Sequence, residues 1–230
     1  MYRPMMWVSA VTLTVVAISP DMGLVAPVGA SILQQPATIP KPLPRPDVQI
    51  PTGFDIDLWA EHPLVLDPVA ICFDAQNRLY VAETQRQERG VEDNRSSDYW
   101  LLDDLASRTI DDRLAYMKKW AHLREGGLDF YTRFADDVIQ LHDDDGDGRP
   151  DARRHFAGPF DDVLDGTGAG LLEVDGDIWY TIIPKLWRLR DQDDDGVAEI
   201  QTVLHDGFGV RFALRGHDLH GLAKGPDGRI

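Results

Sequence analysis

Two acidic stretches written to one template constrain this chain more than anything else in it: Asp143, Asp145, Asp147, Gly148 and Asp151, then Asp191, Asp193, Asp195, Gly196 and Glu199. Both read D-x-D-x-D-G-x-x-[DE]. Carboxylates at alternate positions can wrap one hard cation, calcium being the fit, while the glycine permits a sharp turn. The offset is 191 minus 143, or 48 residues. A supersecondary unit of that length, returning with its loop in the same place, marks a repeat architecture, and propeller blades run roughly 40 to 50 residues.

The flanks separate a hairpin from a helix-loop-helix. A calcium-binding EF-hand needs a bidentate Glu at the twelfth position, where this chain has Arg154 and Thr202. Val138-Ile139-Gln140-Leu141 and Leu186-Trp187-Arg188-Leu189 are short and rich in β formers. The loops are therefore expected as β-hairpin turns. A second recurrence supports this: Ile71 to Val81, Leu171 to Thr181 and Gly221 to Ile230 each read as an apolar strand, a tight Asn/Gly turn and a further strand.

The predicted fold class is all-β, a partial six-bladed type of β-propeller with about two and a half blades. The first blade runs from about Asp67 to Phe156, the second from about Gly166 to His205, and a third starts at His217. The chain stops inside that third blade, so it reads as the N-terminal part of a longer protein. An insertion of about fifty residues, 85–136, interrupts blade one and reads as partly helical. Thr109 with Asp112 resembles a capping box, Ile110, Leu114, Met117 and Ala121 keep helical spacing, and Gly126-Gly127 ends the run.

The N-terminus reads as an address. Arg3, an apolar run from Met5 to Ile18 and small residues near Ala26 and Ala30 give a signal peptide over 1–30, cleaved or kept as an anchor. Residues 31–52 are a Pro-rich tether, and the folded domain spans 53–230. The expected location is exported, periplasmic or membrane-associated. A formal charge of -16 argues against nucleic acid as a partner. The single cysteine, Cys72, excludes an internal disulfide and any cysteine-based haem or zinc motif in this segment.

In an up-and-down blade the acidic loops lie at one end, and the insertion lies at the other with the stretch Arg215-Gly216-His217-Asp218-Leu219-His220. Chemistry is expected at the insertion end. His217 and His220 suit proton transfer, metal ligation or plain loop hydrogen bonding, and Arg215, Arg86 and Arg89 suit planar carboxylates. Metal ligands are expected from Asp143, Asp145, Asp147, Asp151, Asp191, Asp193, Asp195 and Glu199, the alternative being solvated Asp/Gly turns that hold no ion.

His217 to Ile230 resembles the soluble glucose/sorbosone dehydrogenases, six-bladed propellers that use pyrroloquinoline quinone (PQQ). Counting back from Gly225-Pro226-Asp227 aligns His217 with the catalytic His of that family. The wider pattern, with Glu88 to Arg95, Trp100 to Arg113 and the paired loops, is more similar to the PVC-type membrane-bound dehydrogenases from about Phe54 onward. The resemblance implies an exported quinoprotein-like oxidoreductase acting on a sugar or other alcohol. In that reading His217, with His220 beside it, is catalytic, Arg215 and Arg89 hold the PQQ carboxylates, and a c-type haem partner receives electrons. His220 departs from the simpler enzymes, which have a small residue there. The alternative of another class is a non-catalytic, calcium-stiffened propeller that binds carbohydrate or a protein partner.

Overall fold

Alternating side chains on short strands build two antiparallel sheets in this computed structural model, which describes residues 13–15, 49–87, 89–93, 95, 97–211 and 219–230. The first sheet is a meander of β3 (Pro68–Phe73), β4 (Leu79–Glu83), β5 (Asp136–His142) and β6 (Ala152–Phe160). The second repeats it with β7 (Gly168–Val174), β8 (Asp177–Ile182), β9 (Lys185–Arg190) and β10 (Ile200–Asp206). Before them, β1 (Leu13–Val15) pairs antiparallel with β2 (Asp57–Ala60). The fold is mostly β. The signal-like stretch apart from 13–15, and the tether up to residue 48, lie outside the described residues. Among the described residues no helix is long and apolar enough to cross a membrane.

Turn chemistry sets the hairpins. Asp175 and Gly176 both have positive φ, 52° and 85°, the pair a two-residue I′ turn requires between β7 and β8. At the β3–β4 turn the Asp74 N–H donates to the Arg78 carbonyl at 3.1 Å and the Asn77 N–H to the Asp74 carbonyl at 3.1 Å. The acidic stretches form the β5–β6 and β9–β10 loops.

Strand period 2 gives β4 two buried faces. Tyr80 and Ala82 point to the second sheet, where they join Val138, Phe156, Leu171, Ile178 and Tyr180 in the main core. Leu79 and Val81 point the other way, onto Ala60 and Val65 around β2. The rings of Tyr80 and Phe156, and those of Phe160 and Tyr180, lie 4.8 Å apart. Each large side chain buried this way contributes about 1.5–3 kcal/mol.

Cys72 packs half-buried at the sheet–sheet junction, and burial, with the charges of Glu173 and Asp74 behind it, pushes its thiol up to about 12. The thiolate is the reactive form. Native protein at pH 8 is therefore expected to react with a disulfide reagent at least about tenfold more slowly than urea-unfolded protein, the smaller thiolate fraction outweighing the greater nucleophilicity of a high-pKa thiolate. Comparable rates in the two states would contradict the packing.

Between β4 and β5 the insertion folds as α1 (Leu101–Ala106), α2 (Ile110–Trp120) and α3 (Asp129–Thr132) around its own core of Trp100, Tyr116, Met117 and Tyr131. Thr109 caps α2 with a complete capping box to Asp112. The helix ends at Trp120, ahead of Gly126-Gly127, and a single 3-10 turn over Ala121–Leu123 follows.

Two boundaries differ from the sequence reading. The first sheet continues to Phe160, beyond Phe156. The segment 219–230 forms no strand. It does rebuild the β3–β4 turn. The Gly225 N–H donates to the Arg229 carbonyl at 2.6 Å and the Gly228 N–H to the Gly225 carbonyl at 3.0 Å, with Gly228 at φ 78° where Asn77 has 62°. It also runs along β7. A Cβ added at Gly170 would come within 3.4 Å of the His220 Cα, and Lys224 pairs with Asp175 at 3.6 Å.

Candidate functional site

One end of the sheets carries both acidic loops, and each is organised by carboxylates that accept the loop's own N–H groups. Asp143 accepts from Gly146 at 2.7 Å and Gly148 at 2.8 Å, and Asp191 from Asp194 at 2.7 Å and Gly196 at 2.8 Å. The last ligand position closes each loop backwards: Asp151 accepts from Asp144 at 2.9 Å and Glu199 from Gln192 at 2.8 Å. One template thus gives one hydrogen-bond pattern.

The gathering of oxygens differs between them. Asp191, Asp193, Asp195 and Glu199 bring one carboxylate oxygen each within 4.8 Å of one another, and so do Asp143, Asp145 and Asp151. Asp147 does not join its set. Its loop is tied to β2, since the Trp59 indole donates to the Gly148 carbonyl at 2.7 Å and Arg149 donates to the Leu58 carbonyl at 2.9 Å, and Asp147 lines the cleft on that side. Among the described residues no cationic side chain pairs with the seven gathered carboxylates. The arginines that reach the loops engage Asp144, at 3.8 Å from Arg154, and Asp194, from Arg78. Clustered like charges with hard oxygen donors suit a calcium-sized cation, which takes six to eight oxygens.

The second loop is also held against the first sheet. Its Ala198 N–H donates to the Phe156 carbonyl at 2.8 Å, Arg154 donates to the Asp195 carbonyl at 3.4 Å, and Arg78 bridges Asp74 and Asp194. Whatever stiffens this loop stiffens the sheet–sheet contact.

The opposite end of β3 and β7 opens into a cleft of about 280 Å³ lined by Val69, Thr84, Gln87, Thr167, Gly168 and His220. His220 is exposed on it. Arg89 is not in its lining; its guanidinium lies over the Phe134 ring, 5.3 Å from the centroid. Arg215 and His217 lie outside the described residues.

Under this cleft sits a polar hub that local sequence does not advertise. Asp136, fully buried, accepts from Thr84 Oγ1 at 2.9 Å, Gln85 N–H at 2.8 Å, Arg86 N–H at 3.1 Å and Gly168 N–H at 2.8 Å. It joins β5, the root of the insertion and the first residue of β7. Arg86, also fully buried, donates to the Tyr131 carbonyl at 2.6 Å and the Asp162 carbonyl at 3.0 Å, which ties the insertion to the approach to β7. Burial pushes Asp136 and Asp165 up and Arg86 down from their ordinary values, and their mutual charges oppose those shifts. Asp165 is in turn paired with Lys185 at 3.3 Å. The sequence signal for Arg86 was its place at the insertion root. Asp136 had none, since a carboxylate beginning a strand is ordinarily solvated.

The domain of unknown function DUF7133 matches residues 45–230, covering both sheets, the insertion and both acidic loops. No curated protein and no solved structure matches the chain. With most of its length accounted for by that one match, the chain belongs to the DUF7133 family.

Proposed function

We propose that the two sheets are consecutive blades of a calcium-stiffened β-propeller of the quinoprotein dehydrogenase type, exported to a periplasmic or membrane-associated location. The observation that carries this reading is the cleft at His220, where β3, β7 and the segment 219–230 converge at the insertion end. That convergence is what successive inner strands around an axis produce. The repeated turn at Gly225 to Arg229 supports a third blade beginning there.

In this reading the substrate is a sugar or other alcohol, and pyrroloquinoline quinone supplies the two-electron acceptor. His217 takes the substrate's hydroxyl proton, His220 lines the described cleft, and the root of the insertion bounds that cleft through Gln87. A c-type haem partner drains the electrons. The described lining offers Thr84, Thr167, Gln87 and His220 as hydrogen-bonding groups and no cation, so holding the carboxylates of the quinone falls to Arg215. Arg89, stacked on Phe134, would have to leave that ring to help.

That cation-free lining favours a second reading, a non-catalytic propeller that binds carbohydrate or a protein partner. Dye reduction separates the two. The protein, incubated with pyrroloquinoline quinone and calcium and offered a panel of sugars and alcohols, is expected to reduce an artificial electron acceptor. His217→Ala is expected to lower kcat by about 10²–10⁴-fold. No turnover with any substrate, together with no change in quinone absorbance on mixing, would remove the dehydrogenase reading and leave the binding module.

A further inference from the structure

β2 stands outside the two four-stranded sheets, yet its place is fixed from behind. Leu58 and Ala60 are buried, Ala60 in the cluster with Leu79, Val81, Ile139 and Leu141, while the Trp59 indole donates to the Gly148 carbonyl at 2.7 Å and Arg149 to the Leu58 carbonyl at 2.9 Å. Its backbone joins a single ladder among the described residues, the antiparallel pairing with β1. An edge held this firmly is a ready template for one more strand.

The pairing has a defined register. Leu13 faces Ala60, Thr14 faces Leu58 and Val15 faces Asp57, so Trp59 is the extra residue of a bulge. A bulge pins one register where a flat edge would let a partner slide. The sequence of the partner points the same way. Val11-Thr12-Leu13-Thr14-Val15 alternates apolar and hydroxyl residues, all β-branched except Leu13, which is the pattern of a half-buried strand. An export signal needs apolar residues but gains nothing from that alternation.

We propose that the outer edge of β2 is a strand-addition site that captures the chain's own N-terminal stretch, through Leu13–Val15, whenever the domain folds with that stretch attached. Main-chain hydrogen bonds supply the attraction, and the bulge supplies the selectivity. Residues paired on β2 cannot at the same time form a membrane helix, so capture withholds the stretch from a bilayer. The inference does not depend on the oxidoreductase reading, which concerns the His220 cleft.

Hydrogen exchange on the full chain tests it. Successive N–H groups of a strand point to opposite sides, so Leu13→Pro combined with Thr14→Pro removes whichever of the two faces β2. Exchange within Asp57–Ala60 is expected to be about tenfold or more slower in wild type than in this double variant, with the amides of β4 and β5 equally protected in both. Leu13→Gly with Thr14→Gly is the milder break, with a smaller loss confined to the same amides. A lysine-flanked Val-Thr-Leu-Thr-Val peptide added to the proline variant should restore protection saturably, and a Val-Thr-Pro-Pro-Val counterpart should not. Equal exchange of the β2 amides in wild type and proline variant, loss that spreads to β4 and β5 in both variants, no restoration by the first peptide, or equal restoration by the two peptides would overturn the proposal.

Discussion

Replacing Asp136 with Ala is expected to destabilise the protein by about 3–5 kcal/mol, the range for removing one member of a buried charged network. The carboxylate gathers donors from two parts of the chain, Thr84 to Arg86 and Gly168, onto the start of its own strand. Without it, the backbone N–H groups of Gln85, Arg86 and Gly168 lose their acceptor in the interior, at about 1–3 kcal/mol for each group left unsatisfied. The Arg86 charge would also lose a nearby counter-ion. Asp136→Asn keeps the shape but turns a donor toward donors, so most of the loss should remain. Combining Asp136→Ala with Arg86→Met should cost less than the sum of the two single changes, since the second removes the charge the first strands. Urea unfolding curves measure the wild type and all four variants, and a loss below about 1 kcal/mol for Asp136→Ala would show that the hub does not hold the sheets to the insertion.

Calcium is expected to raise the melting temperature, by roughly 5–10 °C for each occupied site when its free concentration is about a hundred times the Kd. Chelation should reverse the gain, and magnesium, which demands a tighter octahedron, should reproduce little of it. Asp193 separates a cation site from a solvated turn. The carboxylate belongs to the gathered set and, among the described residues, accepts no hydrogen bond from the loop backbone, unlike Asp191 and Glu199. In a bare turn it contributes only repulsion. Asp193→Ala is therefore expected to leave the chelated protein as stable or slightly more stable, and to remove the share of the calcium response owed to the second loop. Loss of stability in chelator, with calcium response intact, would contradict the site.

Much of this architecture was legible because repeats advertise themselves locally. The acidic template fixed both outer hairpins, Asn77 and Asp175-Gly176 fixed two inner ones, and Thr109 with Asp112 fixed the start of α2. Each is a short-range signal that needs no knowledge of what packs where. The hidden features depend on distant contacts. Asp136 looks like any strand-edge carboxylate until Gly168, 32 positions later, donates to it. The ties from Trp59 to Gly148 and Arg149 to Leu58 span 89 and 91 positions, and they accompany Asp147 out of the ligand set. The strand expected after Gly221 does not form, although the segment runs along β7. Of the expected chemical groups, His220 lines the cleft, Arg89 stacks on Phe134, and Arg215 and His217 lie outside the described residues.

The stoichiometry of calcium uptake bears most directly on the claim that a cation-holding hairpin is repeated along the chain. Calorimetric titration of chelator-treated protein should give two ions per chain, falling to one in Asp193→Ala with the remaining site unaltered. No saturable uptake, or an unchanged titration in that variant, would contradict it.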